Sequence, residues 1–198
     1  MIQSCIFDLY GTLVDIHTDE GNPEVWKKLA LFFSYYGADY EPEELKEAYS
    51  LQVRKLTETF RKEQQKKAEK ENDGQPDKKN RNSGEGTESP EYESSPEIQM
   101  EEVFLQLYRE RGVEADRTLA VHTGQFFRSL STEYLRLYDG VEAMLSSLRK
   151  AGKKIYLLSN AQSIFTAHEI KALHLDRWFD RMFLSSDYGC KKPDPRFF

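Results

Sequence analysis

Three short polar segments of the sequence each follow an apolar run and carry side chains that could transfer a chemical group. Asp8 follows the first run, Ser159 follows the second, and Lys192 lies in the loop after the third. A carboxylate, a hydroxyl and an ammonium group suit a covalent mechanism. In that mechanism Asp8 attacks an electrophile, Ser159 orients the transferred group, and Lys192 offsets the accumulating negative charge.

The apolar runs that precede these segments predict three strands, at Ile2–Phe7, Lys154–Leu158 and Met182–Leu184. Helical periodicity at Val141–Leu148 and at Ser163–Leu173 predicts helices between the later strands. Because strands that alternate with helices form parallel sheets with right-handed crossovers, we expect an α/β fold with a Rossmann-like core. Ligands bind beyond the carboxyl ends of such strands, where the polar segments lie.

Four further helical patterns interrupt this alternation directly after the first strand. They begin at Asn22, an expected N-cap, and continue to Leu130, with aromatic residues spaced for packing in a bundle. The sequence therefore predicts an inserted helical domain. We assign residues 17–138 to this helical cap and residues 1–16 and 139–198 to the α/β core.

A polar segment at residues 62–97 differs from the rest of the chain. Its only apolar side chains are Ala68 and Tyr92. Such a composition cannot bury enough surface to offset the entropy of ordering the chain, so we expect a disordered insertion. Within it, Lys62–Glu71 is expected to extend the preceding helix because Lys, Glu and Gln are good helix formers, whereas Asn72–Pro96 is expected to be flexible.

Composition excludes several functional classes. The 198 residues include 28 Lys and Arg against 34 Asp and Glu, a net charge of −6, so no nucleic-acid partner is expected. No apolar run approaches the roughly 20 residues of a membrane helix, and Asp8 comes too early for a secretory signal. Cys5 and Cys190 make no disulfide framework, which predicts a cytoplasmic location.

The segments Phe7–Asp15, Leu158–Asn160 and Lys192–Pro195 occur in the order of the first three motifs of a known superfamily. Together they resemble the haloacid dehalogenase-like (HAD) hydrolases, and the helical insertion resembles the small cap of that superfamily's first subclass. The resemblance implies a nucleophile, a phosphoryl-binding hydroxyl and a charge-neutralising lysine, which would be Asp8, Ser159 and Lys192.

The same resemblance implies a cofactor and a substrate class. In metal-dependent members, Mg²⁺ is held partly by the nucleophile carboxylate, here Asp8, and by the backbone carbonyl two residues later, here Tyr10. Thr12 and Asn160 are the expected substrate-binding residues. The expected partner is a small molecule, a phosphate ester that is hydrolysed through an aspartyl-phosphate.

Tyr10 departs from the pattern of the phosphatases, which usually have a second aspartate at this position as general acid and base. A phenol, with a reference pKa of about 10, is poorly matched to protonating an alkoxide near neutral pH. The family's 2-haloacid dehalogenases also have tyrosine here, and halide leaves without a proton. A phosphate with a good leaving group would also need no acid. Tyr10 stays a candidate catalytic residue.

Two features weigh against dehalogenation, which remains an alternative. Those dehalogenases usually hold the substrate carboxylate with a cap arginine roughly thirty residues after the nucleophile, but Leu29–Leu45 contains neither Arg nor Lys. The sequence Ser-Asn-Ala-Gln at residues 159–162 also differs from their usual Ser-Asn-Gly. A phosphatase is therefore the favoured interpretation.

The acidic pair of the family's fourth motif does not occur before Phe198. We therefore expect the C-terminal strands of the core to be missing, with an open edge along Ile2–Phe7. One carboxylate and one carbonyl would also be a thin ligand set for Mg²⁺. A third interpretation follows, in which the chain is a catalytically incomplete fragment or a binding module.

Overall fold

The computed structural model describes residues 2–73 and 97–198. For residues 64, 65 and 67–73 it describes the backbone only. The strands and helices follow one another along the chain as β1 (Ser4–Phe7), β2 (Val14–Thr18), α1 (Pro23–Ser34), α2 (Pro42–Asp73), α3 (Met100–Glu110), α4 (Arg117–Ser131), β3 (Thr132–Leu137), α5 (Val141–Lys150), β4 (Lys154–Ser159), α6 (Ser163–Ala172), β5 (Arg181–Leu184) and α7 (Ser185–Tyr188).

The core is a parallel sheet in the order β1-β4-β5, which confirms the predicted α/β class. Phe7 lies opposite Leu157 in the register of β1 and β4, and Ser159 lies opposite Leu184 in that of β4 and β5. Ile155 and Leu157 are fully buried, as expected for a parallel sheet with helices packed against it. This register brings the residues that follow β1, β4 and β5 to the same edge of the sheet.

The cap is a bundle of α1–α4 with an aromatic interior. Phe33 stacks on Tyr108 with ring centroids 4.4 Å apart, and Trp26 lies against Phe127 at 5.3 Å. The predicted start of the first helix is confirmed, since the Asn22 side chain accepts a hydrogen bond from the second residue of α1. These aromatic side chains are packed against one another, as the sequence analysis expected.

An antiparallel ribbon of β2 and β3 joins the core to the cap, and the sequence analysis missed it. No strand was predicted directly after the first motif, but Val14–Thr18 pairs with Thr132–Leu137. Asp15 and Arg136 face each other in this register and form an ion pair at 2.7 Å. The division proposed between residues 16 and 17 lies inside β2 and stays a prediction.

The polar segment is partly ordered. Its first part continues α2 through Asp73, which confirms the predicted helix extension over Lys62–Glu71. The expectation of a disordered insertion is therefore wrong for residues 62–73, because the helix propensity of these residues prevails there. Residues 74–96 lie outside the described part of the chain. Over residues 2–73 and 97–198, no helix combines the length and the apolar character that crossing a bilayer requires.

Asp180, which directly precedes β5, links its own segment to the beginning of β4 through a hydrogen bond and ion pairs. Its carboxylate accepts a hydrogen bond from the backbone N–H of Ile155 at 2.8 Å and contacts Arg149 at 2.9 Å and Lys154 at 3.1 Å. The backbone hydrogen bond, followed by those from the two cations, outweighs partial desolvation and lowers the pKa of Asp180 to about 2. The ionised carboxylate is therefore part of the folded structure.

We expect the variant Asp180→Asn to lower the urea midpoint of unfolding at pH 7. Because the folded pKa lies below the ordinary value of 3.8, the carboxylate stabilises the fold above about pH 4, and this contribution is lost as the pH falls through about 2. The difference from the unmodified chain should therefore shrink as the pH falls from about 4 to about 2. Asp176→Asn is the control, and equal midpoints for the chain and Asp180→Asn at pH 7 would contradict the prediction.

Candidate active site

Asp8 and Lys192 meet at the carboxyl end of the sheet. Asp8 directly follows β1, and its Oδ1 lies 3.0 Å from the ammonium nitrogen of Lys192. That nitrogen also donates a hydrogen bond to the carbonyl of Leu158, in β4, at 2.9 Å. Ser159, the last residue of β4, is buried, and its side chain helps to lower the pKa of Asp8 by hydrogen bonding. The three separate segments thus converge.

Asn160 fixes the loop that carries the lysine. Its side-chain amide donates to the Lys192 carbonyl at 3.0 Å, and its amide oxygen accepts from the Lys192 N–H at 2.7 Å. The paired hydrogen bonds hold the backbone of residue 192 against the end of β4. Asn160 thus holds the lysine loop and also lines the cavity described below, and its expected contact with substrate stays a prediction.

The Asp8 carboxyl group is held in its ionised form. Partial burial alone would raise the pKa of Asp8, but hydrogen bonds from Lys192, from the Leu9 N–H and from Ser159 outweigh it, so the pKa lies below its ordinary value. The side chain of Asp8 is 42% exposed, which leaves it open to an incoming molecule. An ionised, accessible carboxylate can act as a nucleophile.

The phenol of Tyr10 is bound by helix α6. Its hydroxyl lies 2.8 Å from the Thr166 hydroxyl and donates a hydrogen bond to the Glu169 carboxylate. Burial, and then the negative charge of Glu169, raise the pKa of Tyr10 well above its ordinary value. The phenol therefore stays protonated, and its proton is directed to Glu169.

Arg128, on α4 of the cap, is a candidate that the sequence analysis did not find. Its Nε donates to Glu169 at 2.6 Å, and its guanidinium carbon lies 5.4 Å from the Phe165 ring centroid. The ion pair joins the cap to the core, and both partners are largely buried. The sequence gave no signal for Arg128, because the cap arginine of the family's dehalogenases is expected roughly thirty residues after the nucleophile, whereas Arg128 lies in α4.

A cavity of about 390 Å³ opens beside this network. The side chains that line it come from the first motif, from α4, from α6 and from the lysine loop, and include Tyr10, Arg128, Phe165 and Lys191. Lys191 itself lies 3.8 Å from Glu97. The cavity therefore offers polar groups of both charges, and it is connected to the aspartate–lysine pair through Asn160, which lines the cavity and bonds to the Lys192 backbone. The remainder of a small substrate could be held there.

The tight turn after Asp8 positions the remaining predicted residues. The Leu9 carbonyl accepts hydrogen bonds from the N–H groups of residues 12, 13 and 14, and Gly11 supplies the positive φ of 75° that the turn requires. Thr12 is exposed on this turn, and its predicted contact with substrate stays a prediction.

The residues predicted to hold Mg²⁺ offer two oxygen ligands. Asp8 has an accessible carboxylate, and the Tyr10 carbonyl accepts none of the backbone hydrogen bonds found in the described residues. Mg²⁺ commonly takes one or two protein carboxylates and completes its octahedron with water and substrate phosphate, so this pair fits the ion. Within residues 2–73 and 97–198, no group of three or more His, Cys, Asp or Glu side chains forms a larger metal site.

A parallel sheet, an inserted helical bundle and an aspartate–lysine pair at the strand ends define an α/β protein with a helical cap and a candidate active site at the strand ends. The family model of the haloacid dehalogenase-like hydrolases matches residues 2–198, and the chain belongs to this family. The predicted resemblance is thus confirmed. No similar sequence was found among curated proteins.

Similar chains were found among solved structures, and one of them reaches a TM-score that supports the fold. A HAD family enzyme from Bacteroides thetaiotaomicron is 17% identical, with a TM-score of 0.50 over 100% of this chain and 75% of that chain. The HAD-hydrolase YfnB from Bacillus subtilis, bound to magnesium, is 20% identical (TM-score 0.43; 100% and 71% covered). The L-2-haloacid dehalogenase from Xanthobacter autotrophicus, with chloropropionic acid covalently bound, is 16% identical (TM-score 0.42; 100% and 62% covered).

Proposed function

We propose that the chain is a phosphatase that hydrolyses a small phosphorylated metabolite through an aspartyl-phosphate at Asp8, with Mg²⁺ as cofactor. The observation that carries the proposal is the contact of 3.0 Å between Asp8 and Lys192 at the carboxyl end of the sheet. A nucleophile and a fixed cation at one point are what transfer of an anionic phosphoryl group requires.

Each residue of the site has a part in this reaction. Asp8 attacks phosphorus, and the Ser159 hydroxyl orients the phosphoryl oxygens. Lys192 offsets the negative charge that builds up during transfer, while Asn160 keeps its loop in place. Mg²⁺, when held by the Asp8 carboxylate and the Tyr10 carbonyl, would supply further positive charge to the phosphoryl oxygens.

The cavity beside Tyr10 is the proposed place for the rest of the substrate. Arg128 brings a cap residue into its wall, and closure of the cap over this wall would exclude water during transfer. Cys5 and Cys190 are free thiols, which supports our proposal of a reducing, cytoplasmic setting.

Hydrolytic dehalogenation of a 2-haloacid is the second candidate, and one observation favours it. Arg128 supplies a cap guanidinium beside the cavity, although in α4 and not at the position searched in the sequence. A guanidinium can hold a substrate carboxylate with two hydrogen bonds. In this reaction Asp8 would displace the halide, and no metal would be needed.

Metal dependence should separate these candidates. We expect the purified chain to release phosphate from 4-nitrophenyl phosphate when Mg²⁺ is present and to lose this activity when EDTA removes the ion, because the phosphatase relies on two chain oxygens and Mg²⁺ at the phosphoryl group. Phosphate release and chloride release from 2-chloropropionate would be measured in parallel.

Each result of that comparison points to one interpretation. Chloride release that persists in EDTA, without phosphate release, would replace the phosphatase by the dehalogenase. If neither product forms across a broad panel of phosphates and haloacids, the third interpretation, a binding module or catalytically incomplete fragment, would be favoured.

A further inference from the structure

We infer that the substrate is an activated phosphate, an acyl phosphate or the ester of an acidic hydroxyl, whose leaving group departs as an anion without receiving a proton from the chain. The inference rests on the phosphatase function proposed above. It arises from the way α6 holds the tyrosine that stands where a general acid would be needed.

The hydroxyl proton of Tyr10 is already used in a hydrogen bond to another residue. Its hydroxyl donates to the Glu169 carboxylate, and the Thr166 hydroxyl lies 2.8 Å away on the same helix. Glu169 in turn accepts a hydrogen bond of 2.6 Å from Arg128, whose positive charge keeps the carboxylate ionised. A phenol bonded to an anion gives up its proton less readily than a free phenol, so this network opposes proton donation to a leaving group.

No other acid is free to take this part among the described groups that hydrogen-bond to Asp8 or line the cavity. Glu97, a carboxyl group of the cavity lining, accepts hydrogen bonds from Gln162 and Ser185 and lies 3.8 Å from the Lys191 ammonium group.

The groups that hydrogen-bond to Asp8 are the Lys192 ammonium group, the Ser159 hydroxyl and the Leu9 N–H. The ammonium group is bonded to Asp8 and to the Leu158 carbonyl, and its remaining N–H is needed to stabilise phosphoryl oxygens. A hydroxyl and a backbone amide are too weakly acidic to protonate a leaving group at neutral pH.

Without an acid that protonates the leaving group, phosphoryl transfer is fast only for substrates whose leaving group is stable as an anion. An Asp8 oxygen forms a bond to phosphorus while the bond from phosphorus to the leaving oxygen breaks, and the electron pair stays on that oxygen. This is favourable when the product is a carboxylate or the anion of an acidic phenol. An alkoxide is too basic to depart in this way, and the missing acid would cost an alkyl phosphate roughly 10²–10⁴ in rate.

The second half of the reaction needs no acid but lacks a general base. A water oxygen forms a bond to phosphorus, and the bond from phosphorus to Asp8 breaks with its electron pair returning to the carboxylate. The proton that the product phosphate does not keep passes to solvent. Because the carboxylate of Glu97 in the cavity lining is already bonded to Gln162, Ser185 and Lys191, we expect this step to be slow and the phosphorylated chain to accumulate after a rapid first turnover.

A series of leaving groups tests the inference. With Mg²⁺ present, kcat/KM would be measured for acetyl phosphate, 2,4-dinitrophenyl phosphate, 4-nitrophenyl phosphate and phenyl phosphate, since kcat/KM reports the first transfer. We expect kcat/KM to fall by roughly 10²-fold or more from the dinitrophenyl to the phenyl ester. We also expect a burst of dinitrophenol equal to the enzyme concentration.

The variant Tyr10→Phe separates the two roles of the phenol. If Tyr10 only positions its neighbours, the ratio of kcat/KM between the dinitrophenyl and phenyl esters stays the same, whatever happens to the absolute rates. A Tyr10 that donates a proton would make this ratio rise by roughly 10²–10⁴ in the variant. Tyr138→Phe, an exposed tyrosine of the loop before α5, serves as the control for handling and folding.

Four results are distinguishable. A kcat/KM ratio that rises in Tyr10→Phe overturns the inference, because it identifies Tyr10 as a proton donor. A steep series with an unchanged ratio in Tyr10→Phe supports the inference. A flat series with clear phosphate release overturns it and leaves the phosphatase function standing. No phosphate release from any of the four compounds overturns both.

Discussion

The variant Asp8→Asn is expected to lose phosphate release almost completely, with kcat lower by about four orders of magnitude or more. The amide keeps the size of the carboxylate and can still accept a hydrogen bond from Lys192, which lies 3.0 Å from the Asp8 oxygen. It cannot attack phosphorus, because a neutral amide oxygen is a poor nucleophile. The measurement is steady-state release of phosphate from 2,4-dinitrophenyl phosphate with Mg²⁺ present.

A second readout identifies the bond that forms. Intact mass spectrometry of the unmodified chain, quenched in acid during turnover, should show the added mass of one phosphoryl group, and Asp8→Asn should not show it. Asp15→Asn is the control, because Asp15 lies in β2 and pairs with Arg136 away from the strand ends. Retention of more than about a tenth of the rate in Asp8→Asn would remove residue 8 as the nucleophile.

The sheet and the aspartate–lysine contact could be predicted from the sequence, because both follow from local patterns of apolar and polar residues. Three apolar runs separated by helical periodicity specify parallel strands, and the carboxyl ends of parallel strands share one edge. Asp8, Ser159 and Lys192 each lie within a few residues of such an end, so their convergence needed no knowledge of side-chain contacts. The observed register bears this out.

The ribbon was missed for a different physical reason. Val14 and Ile16 alternate with polar residues, as do Leu135 and Leu137 on the partner strand, but each run is too short to distinguish a strand from a loop. Pairing over a separation of more than a hundred residues stabilises both strands. Such a pairing depends on the cap returning the chain to its starting point, which periodicity alone does not reveal.

The hydrogen bonds that connect Tyr10 to α6 and to Arg128 also could not be predicted from the sequence. Thr166 and Glu169 lie one turn apart on α6, and Arg128 lies on α4, where it reaches Glu169 only because the two helices pack against each other. Type and spacing therefore identified Tyr10 as unusual but could not say what its hydroxyl contacts. The structure shows that this hydroxyl contacts Thr166 and Glu169, whereas the part of Tyr10 in the reaction stays a prediction.

Lys192→Met is expected to lower kcat/KM for 2,4-dinitrophenyl phosphate by roughly 10²–10³-fold, the usual cost of removing one preorganised charge from a transition state. Methionine keeps the unbranched stem and removes only the ammonium group. Lys191→Met is the matched comparison. The Lys191 ammonium lies 3.8 Å from Glu97 and is well exposed, so we expect its loss to cost less than about tenfold.

The pH profile of Lys192→Met should shift in a definite direction. Desolvation raises the pKa of Asp8, whereas the Lys192 hydrogen bond and charge help to lower it below its ordinary value. Without the ammonium group the desolvation remains, so the pKa rises and a larger fraction of Asp8 is protonated at mildly acidic pH. Because only the ionised carboxylate attacks, the acidic limb of kcat/KM moves to higher pH in this variant and stays in place in Lys191→Met. An acidic limb that does not move would mean that the lysine at 3.0 Å does not control ionisation of the nucleophile.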